Sequence, residues 1–238
     1  MRPVNTPTQG YAPKVAVIIS ARAEWNTAVE FHEHPEMVSS PLGEQFHTTI
    51  SGIDCLFFHG GWGKVAAAAG TQYVIDHWQP QLLVNLGTCG GFAGAVSVGE
   101  VILVDETVIY DIVERMGDPR EALAHYTTHI DLSYLRQPYP YTVRVGRLVS
   151  ADQDIDPAMV KVLETDYGAV AADWESGAIA WTAARNSTRV LILRAVSDLV
   201  DAGGGELYNQ GDFHQRAREV MPPLLHALPA WLKCALDK

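Results

Sequence analysis

The sequence predicts an α/β fold in which a mostly parallel or mixed sheet is flanked by helices. Short apolar runs without polar alternation, typical of strands buried on both faces, occur at residues 14–20, 82–86 and 189–195. Segments with helical periodicity lie between such runs, as in sheets covered by helices on both faces. A chain of 238 residues can bury a sizeable core. We therefore predict a single domain over residues 1–238, with 1–12 as a loose N-terminal arm.

The elements of the first half follow in order. After the first strand, two β-rich runs around Ser51-Gly52 predict a hairpin. An alanine-rich segment then follows the glycines of GGWGK and predicts a helix that ends near Pro80. Residues 82–94, LLVNLGTCGGFAG, predict a buried strand that enters a glycine-rich turn. Such a turn at the carboxyl end of a strand can point N–H groups at a ligand.

The second half alternates in the same way. Its predicted elements are a strand at 100–110, a polar loop at 113–141, a strand at 142–150, a helix from Pro157 and a strand at 189–195. Asp173 is predicted to cap a helix over WESGAIAW. The C-terminal helix, from Asp212, is predicted to be interrupted at Pro222-Pro223.

Composition limits the partners. The net charge of −11 argues against binding nucleic acid or an acidic membrane surface. No apolar run is long enough to span a bilayer, and the N-terminus lacks the apolar region of a secretory signal. Three cysteines without a spaced framework suit a reducing cytosol. We expect a cytoplasmic protein with neither a nucleic-acid nor a membrane partner.

Several motifs suggest chemistry that the surrounding residues do not support. GWGKVA matches a dinucleotide fingerprint, but the next strand ends in NLG and lacks the acid that would hold a ribose. Lys64 is followed by Val65 instead of Ser or Thr, so the phosphate-loop pattern fails. Cys89 lies in a sequence like a nucleophile elbow, but another strand follows it where a helix is needed. We predict no cofactor and no metal.

Three carboxylates give the most specific signal from the residues themselves. Glu24, Glu175 and Asp198 each follow a predicted buried strand or begin a helix, so they should converge at one edge of the sheet. One such acid could be structural, stabilised by a helix N-terminus. Three together suggest acid–base chemistry on a neutral, hydroxyl-rich substrate.

The same residues carry a resemblance to a known family. The motifs are, in order, IISARAE, GWGKVAAAAG, LVNLGTCGGF with VGEVILVDE, DWESGAIA and RAVSD. Together they resemble the methylthioadenosine/S-adenosylhomocysteine nucleosidases of the nucleoside phosphorylase superfamily, with the plant-type branch closest through NLGTCGGF, GRLVSADQD and AVSDLVD. The resemblance implies a three-layer α/β/α sandwich with a twisted mixed central sheet. It also implies a homodimer that hydrolyses the N-glycosidic bond of a purine nucleoside, with water as the co-substrate.

The resemblance implies roles for individual residues. Glu24 would activate the attacking water, Glu175 would accept hydrogen bonds from the ribose hydroxyls, and Asp198, steadied by Ser197, would protonate the leaving purine. The other residues implied to contact the substrate are Thr88, Cys89, Gly90, Asp154, Ile155 and Trp174. Two of them depart from the family pattern, because Asp154 stands where an apolar, often aromatic, residue is usual and Trp174 replaces a small or flexible one.

Four alternatives stay open at this stage. A phosphorylase would use phosphate in place of water, but the segment before the glycines, Leu83 to Leu86, lacks the arginine expected there. A nucleosidase for a different base would keep the fold and the carboxylates. A non-catalytic nucleoside-binding protein would bind without turnover, and a cysteine hydrolase would depend on Cys89.

Overall fold

The computed structural model of the protein describes residues 13–207 and 212–237. The strands of the described part are β1 (Val15–Ile19), β2 (Val38–Ser40), β3 (Gly43–Ile50), β4 (Ile53–His59), β5 (Leu82–Phe92), β6 (Val101–Ile109), β7 (Thr127–His129), β8 (Arg144–Ser150), β9 (Ala169–Asp173), β10 (Val190–Asp201) and β11 (Gly204–Gly205). The helices are α1 (Arg22–Phe31), α2 (Gly63–Trp78), α3 (Pro119–His125), a 3-10 turn (Pro157–Met159), α4 (Val160–Thr165), α5 (Ser176–Arg185) and α6 (Phe213–Leu236).

The strands form one mixed sheet with helices on both faces. Alternate side chains of β1 separate into two apolar clusters, because successive residues of a strand point to opposite faces. Val15, Val17 and Ile19 pack with α1 and α6. Ala16 and Ile18 pack with α2 and α5 on the other face. The predicted three-layer α/β/α sandwich around a mixed sheet is therefore confirmed.

Part of the sheet closes on itself. The strand order is β11-β10-β6-β8-β9-β5-β1-β4-β3-β2, and β5 also pairs with β10. Strands β5, β10, β6, β8 and β9 therefore form a closed ring. Strands β1, β4, β3 and β2 extend from β5 as an open sheet, while β11 pairs with β10 and β7 with β6. The β5–β10 and β1–β4 pairs are parallel, whereas β10–β6 and β5–β9 are antiparallel.

The prediction of a glycine-rich turn after residue 86 is wrong, because β5 continues as a strand to Phe92. The chain stays extended there because Gly90 and Gly91 pair with β10 on one side and with β9 on the other. Glycine is required at residue 91 because a larger side chain would clash with its neighbours. A Cβ on Gly91 would lie 2.4 Å from the Val96 side chain and 2.7 Å from that of Val196. The strand predicted at 189–195 is longer for the same reason and reaches Asp201.

Other element boundaries also need correction. Asp173 ends β9 and is not the residue before the helix, which begins at Ser176. Its carboxylate still accepts the Ser176 N–H, at 3.1 Å from Oδ2. The predicted loop at 113–141 contains α3 and β7.

The C-terminal helix is not interrupted at Pro222-Pro223. It runs without a break from Phe213 to Leu236, although each proline removes one helical donor. Burial of a continuous apolar face offsets this loss, and the face includes Met221, Leu224 and Trp231. In the described part of the chain, no helix is long and apolar enough to cross a membrane. The predicted arm at 1–12 lies outside the described residues.

Candidate active site

A cavity of about 490 Å³ opens at the carboxyl ends of β1, β4, β5 and β10. This volume lies within the range of small-ligand pockets. All ten residues that the sequence singles out line it: Glu24, Thr88, Cys89, Gly90, Asp154, Ile155, Trp174, Glu175, Ser197 and Asp198. The structure therefore brings together side chains from α1, β5, β10 and the segments that follow β8 and β9.

Glu24 lies in the first turn of α1 and is 2% exposed. Its carboxylate accepts hydrogen bonds from the Thr88 N–H (2.6 Å), the Thr88 hydroxyl (2.8 Å) and the Ala21 N–H (3.3 Å). Burial raises the pKa of Glu24, while the Arg194 guanidinium and the Thr88 donors oppose that shift. A carboxyl in this balance can take up a proton during a reaction.

Arg194 is a buried charged residue behind the site that the sequence did not single out as a site residue. Its guanidinium is 1% exposed and pairs with Asp173 at 2.8 Å. It also donates to Ser176 Oγ (2.8 Å) and Asn85 Oδ1 (2.9 Å). A single charged residue inside the apolar run VLILRAV was the available signal, because such a charge must be paired when buried.

Glu175 connects β9 to α5 and is also buried. Its Oε1 accepts the Gly63 N–H at 3.0 Å, from the first residue of α2. Burial, reinforced by the negative charge of neighbouring Asp173, raises the pKa of Glu175 to about 8. The raised pKa favours the protonated form, in which the side chain can both donate and accept hydrogen bonds.

Asp198 lies within β10, and not just past a strand as predicted, at a point where the register with β5 shifts by one residue. The shift is a bulge, which re-aims side chains near functional sites. Ser197 Oγ lies 2.6 Å from Asp198 Oδ1 and 3.1 Å from the Cys89 carbonyl oxygen. The Ser197 hydroxyl has one proton to donate. Donated to Asp198, it stabilises the carboxylate; donated to the Cys89 carbonyl, it leaves the Ser197 oxygen able to accept a hydrogen bond from protonated Asp198.

The environment of Asp198 favours its protonated form. Burial raises the pKa of this carboxyl, and the negative charges of Glu206 and Asp154 add to the shift, while the Ser197 hydrogen bond and Arg216 oppose it. Asp198 is therefore suited to act as a general acid.

Cys89 is buried in β5, and burial raises the pKa of its thiol. Its Sγ lies 3.8 Å from the Ala195 carbonyl oxygen, and no helix begins after it. A reactive cysteine needs a lowered pKa and access to solvent. The geometry therefore fits a small wall residue and not a nucleophile.

The two departures from the family pattern lie on the cavity wall. Trp174 stacks on Trp62, with ring centroids 4.9 Å apart and an interplanar angle of 28°. Asp154 lines the cavity beside Ile155, whose Cδ1 would lie 2.7 Å from a Cβ on Gly90. Ile155 therefore packs directly over the β5 backbone. Among the described residues, no group of three His, Cys, Asp or Glu side chains is placed to hold a metal ion.

Comparison with known proteins identifies the family of the chain. The phosphorylase superfamily profile matches residues 14–228. The chain belongs to the phosphorylase superfamily. A 5′-methylthioadenosine/S-adenosylhomocysteine nucleosidase of Maridesulfovibrio salexigens is 27% identical over 212 residues, which cover 83% of this chain and 91% of the relative.

Solved structures share the fold. The methylthioadenosine/S-adenosylhomocysteine nucleosidase of Streptococcus pneumoniae, in complex with 8-aminoadenine, superposes with a TM-score of 0.76 at 20% identity and covers 93% of this chain and 99% of its own. The futalosine hydrolase of Helicobacter pylori has a TM-score of 0.74 at 14% identity, with 91% and 97% covered. At these identities the likeness extends to the fold alone.

Proposed function

We propose that this protein is a nucleosidase that hydrolyses the N-glycosidic bond of 5′-methylthioadenosine, S-adenosylhomocysteine or both, releasing adenine. The observation that carries the proposal is the set of three buried carboxyls, Glu24, Glu175 and Asp198, on one cavity of nucleoside size. The family membership and the nucleosidase from Maridesulfovibrio salexigens support the same activity.

Each carboxyl has a separate task in this reaction. N-glycoside cleavage passes through an oxocarbenium-like state, in which positive charge develops on the ribose and negative charge moves onto the base. Asp198 gives its proton to the base, so that adenine leaves as a neutral molecule. Glu175 binds the ribose hydroxyls, and Glu24 takes a proton from the attacking water. Each positioned proton transfer contributes about a hundred- to ten-thousand-fold in rate.

The charges around the cavity favour water over phosphate as the nucleophile. Arg194, the guanidinium beside Glu24, is already neutralised by Asp173. Arg22, which lines the cavity, is paired with Glu44 at 2.8 Å. Within the described residues, neither guanidinium is left unpaired to bind a phosphate dianion, and buried Glu24 would repel one.

Further parts of the proposal concern the protein as a whole. We place it nearest the plant-type branch on its NLGTCGGF, GRLVSADQD and AVSDLVD motifs. We propose a single-domain protein that acts as a homodimer in the cytosol. All three cysteines are free in the structure, as suits a reducing compartment.

A second candidate is a nucleosidase for a different base. Asp154 lines the cavity where an apolar residue is usual, and a carboxylate there can accept hydrogen bonds from an amino or imino group of a base. The site then uses the same carboxyls in the same roles, and only the base changes.

The first experiment is a phosphate-free incubation with methylthioadenosine, S-adenosylhomocysteine, adenosine, inosine and guanosine, with released base measured by chromatography. We expect adenine from methylthioadenosine at a rate that added phosphate does not change. A different released base would favour the second candidate, and release only with phosphate would indicate a phosphorylase. Binding of a nucleoside without release of a base from any of them would favour a non-catalytic nucleoside-binding protein.

One variant tests the role assigned to Asp198. Asp198→Asn keeps the shape of the side chain but removes the proton donor, so we expect a loss of about a hundred- to ten-thousand-fold in kcat. Wild-type kcat/KM should fall as pH rises through the raised pKa of Asp198, because the protonated form is the active one. A pH–rate profile for Asp198→Asn that matches the wild type would contradict the role.

A further inference from the structure

The first turn of α2 connects two separate parts of the cavity wall through consecutive backbone amides. The Gly63 N–H donates to Glu175 Oε1 at 3.0 Å. The next amide, Lys64 N–H, donates to Asp152 Oδ1 at 2.7 Å. Asp152 begins the segment 152–155, of which Gln153, Asp154 and Ile155 line the cavity. One peptide unit thus fixes the distance between Glu175 and this segment.

The Lys64 side chain ties the same segment to the end of β6. Its Nζ forms an ion pair with Asp111 and lies 3.7 Å from Asp152 Oδ2. Asp111 in turn accepts the Asp152 N–H at 3.0 Å. These contacts form a closed network. Asp152 takes part in three of them: with the Lys64 N–H, with Lys64 Nζ and, through its own N–H, with Asp111.

This network is partly shielded from solvent. The side chains of Lys64 and Asp111 are 14% and 22% exposed, whereas that of Asp152 is 41% exposed, so the shielded pair is Lys64–Asp111. The junction also leaves no space for a side chain at Gly63: its φ is +83°, and a Cβ would lie 3.0 Å from Asp152 Oδ1. Ion pairs shielded in this way are screened less by salt than surface pairs are.

We propose that Lys64 is a positioning residue that holds segment 152–155 in register with Glu175. Lys64 does not line the cavity and acts through Asp152 and Asp111. The inference rests on the proposed function in one respect, namely that Asp154 and Ile155 meet the base while Glu175 meets the ribose. Lys64 then sets the spacing between the base half and the ribose half of the site.

The test compares Lys64→Met and Asp111→Asn with a matched control. Arg144→Met breaks the Arg144–Glu100 pair (2.9 Å), which is also partly exposed but lies at the opposite end of β8 from the cavity. For each variant, kcat and KM are measured with methylthioadenosine, and amide hydrogen exchange is followed over residues 151–156. Exchange at the Asp152 N–H reports the network directly, since that amide donates to Asp111.

We expect Lys64→Met to raise KM about tenfold, the scale for losing a partly exposed charge-assisted hydrogen bond, while kcat changes less. Exchange over 151–156 should accelerate in Lys64→Met and Asp111→Asn but not in Arg144→Met. The double variant should resemble Lys64→Met alone, because both changes break one network.

The inference is overturned if exchange over 151–156 in Lys64→Met matches that of Arg144→Met. It is also overturned if exchange accelerates while KM stays at the wild-type value, or if kcat falls as much as KM rises. A wild-type protein that cleaves none of the nucleosides would refute the proposed function instead. Since exchange needs no substrate, that arm would then decide the inference by itself.

Discussion

Replacing Arg194 with methionine should destabilise the protein strongly. The substitution roughly conserves volume but removes a guanidinium that is 1% exposed and pairs with Asp173. Removing one partner of a buried ion pair costs about 3–5 kcal/mol, because the other charge stays buried without compensation. Here two acids lose their counter-charge, since Arg194 also lowers the pKa of Glu24.

The expected size of the effect can be measured by denaturation. For a chain of this length, 1 kcal/mol corresponds to about 2–4 °C in the melting temperature. Arg194→Met should therefore melt about 6–20 °C below the wild type, a range obtained by multiplying that shift by the loss of about 3–5 kcal/mol. Arg144→Met is the control, because its exposed pair is worth about 0–1 kcal/mol.

A second variant separates the charge from packing. Adding Asp173→Asn to Arg194→Met removes the orphaned carboxylate while keeping an oxygen that can accept the Ser150 hydroxyl. We expect the double variant to recover part of the lost stability, because residues in one network are not additive. An Arg194→Met protein destabilised by no more than Arg144→Met would refute this reasoning.

Three further predictions follow from the same contacts. Glu175→Gln keeps the acceptor for Gly63 but cannot ionise. Because the folded-state pKa of Glu175 is raised to about 8, wild-type stability should fall as pH rises from 4.5 towards that value; the variant should lack this fall, be more stable than the wild type near pH 7 and be less active, and equal slopes of stability against pH would contradict this. Gly87→Ala should lose about 1–3 kcal/mol or more in urea denaturation, since its Cβ would lie 1.9 Å from Arg194 Nη1. Gly117→Ala should be close to neutral, since its Cβ would lie 3.7 Å from the Glu114 side chain. Cys89 should resist alkylation by iodoacetamide in the folded protein and react after unfolding, because the thiol is buried and its pKa is raised. Cys89→Ser should keep kcat within a few-fold of the wild type; loss of activity would support the cysteine-hydrolase hypothesis instead.

The sequence predicted the elements whose signal is local. The apolar runs of β1 and β5 and the hairpin around Ser51-Gly52 are found where expected, because a buried strand or a tight turn leaves its mark within a few residues. The long helix α6 was harder to predict, because two adjacent prolines lower local helix propensity and only tertiary burial offsets them.

Features that depend on distant pairing were not predictable in this way. Gly90 and Gly91 are typical of a turn, and only pairing with β10 and β9 makes them a strand. Arg194 gave a weak signal, since nothing near it in the chain identifies Asp173 as its partner. Lys64 does not fit the phosphate-loop pattern, and the sequence indicates no other role for it. Its contacts with Asp111 and Asp152 form only because three distant chain segments meet in the fold.

The closed ring of five strands has a consequence for how the protein is made. β5 and β10 are about 100 residues apart in the chain, yet they are neighbouring strands of the ring. They carry Thr88 and Asp198, respectively. Most of the chain must therefore be synthesised before the ring can close. Until then, the apolar strand β5 lacks its hydrogen-bonding partner β10 along one edge. Contacts of such long range form slowly, and unpaired strands are prone to aggregate while they wait. The cavity should therefore be completed only late in synthesis, after β10 has paired with β5 and the start of α6, which also lines the cavity, has been made.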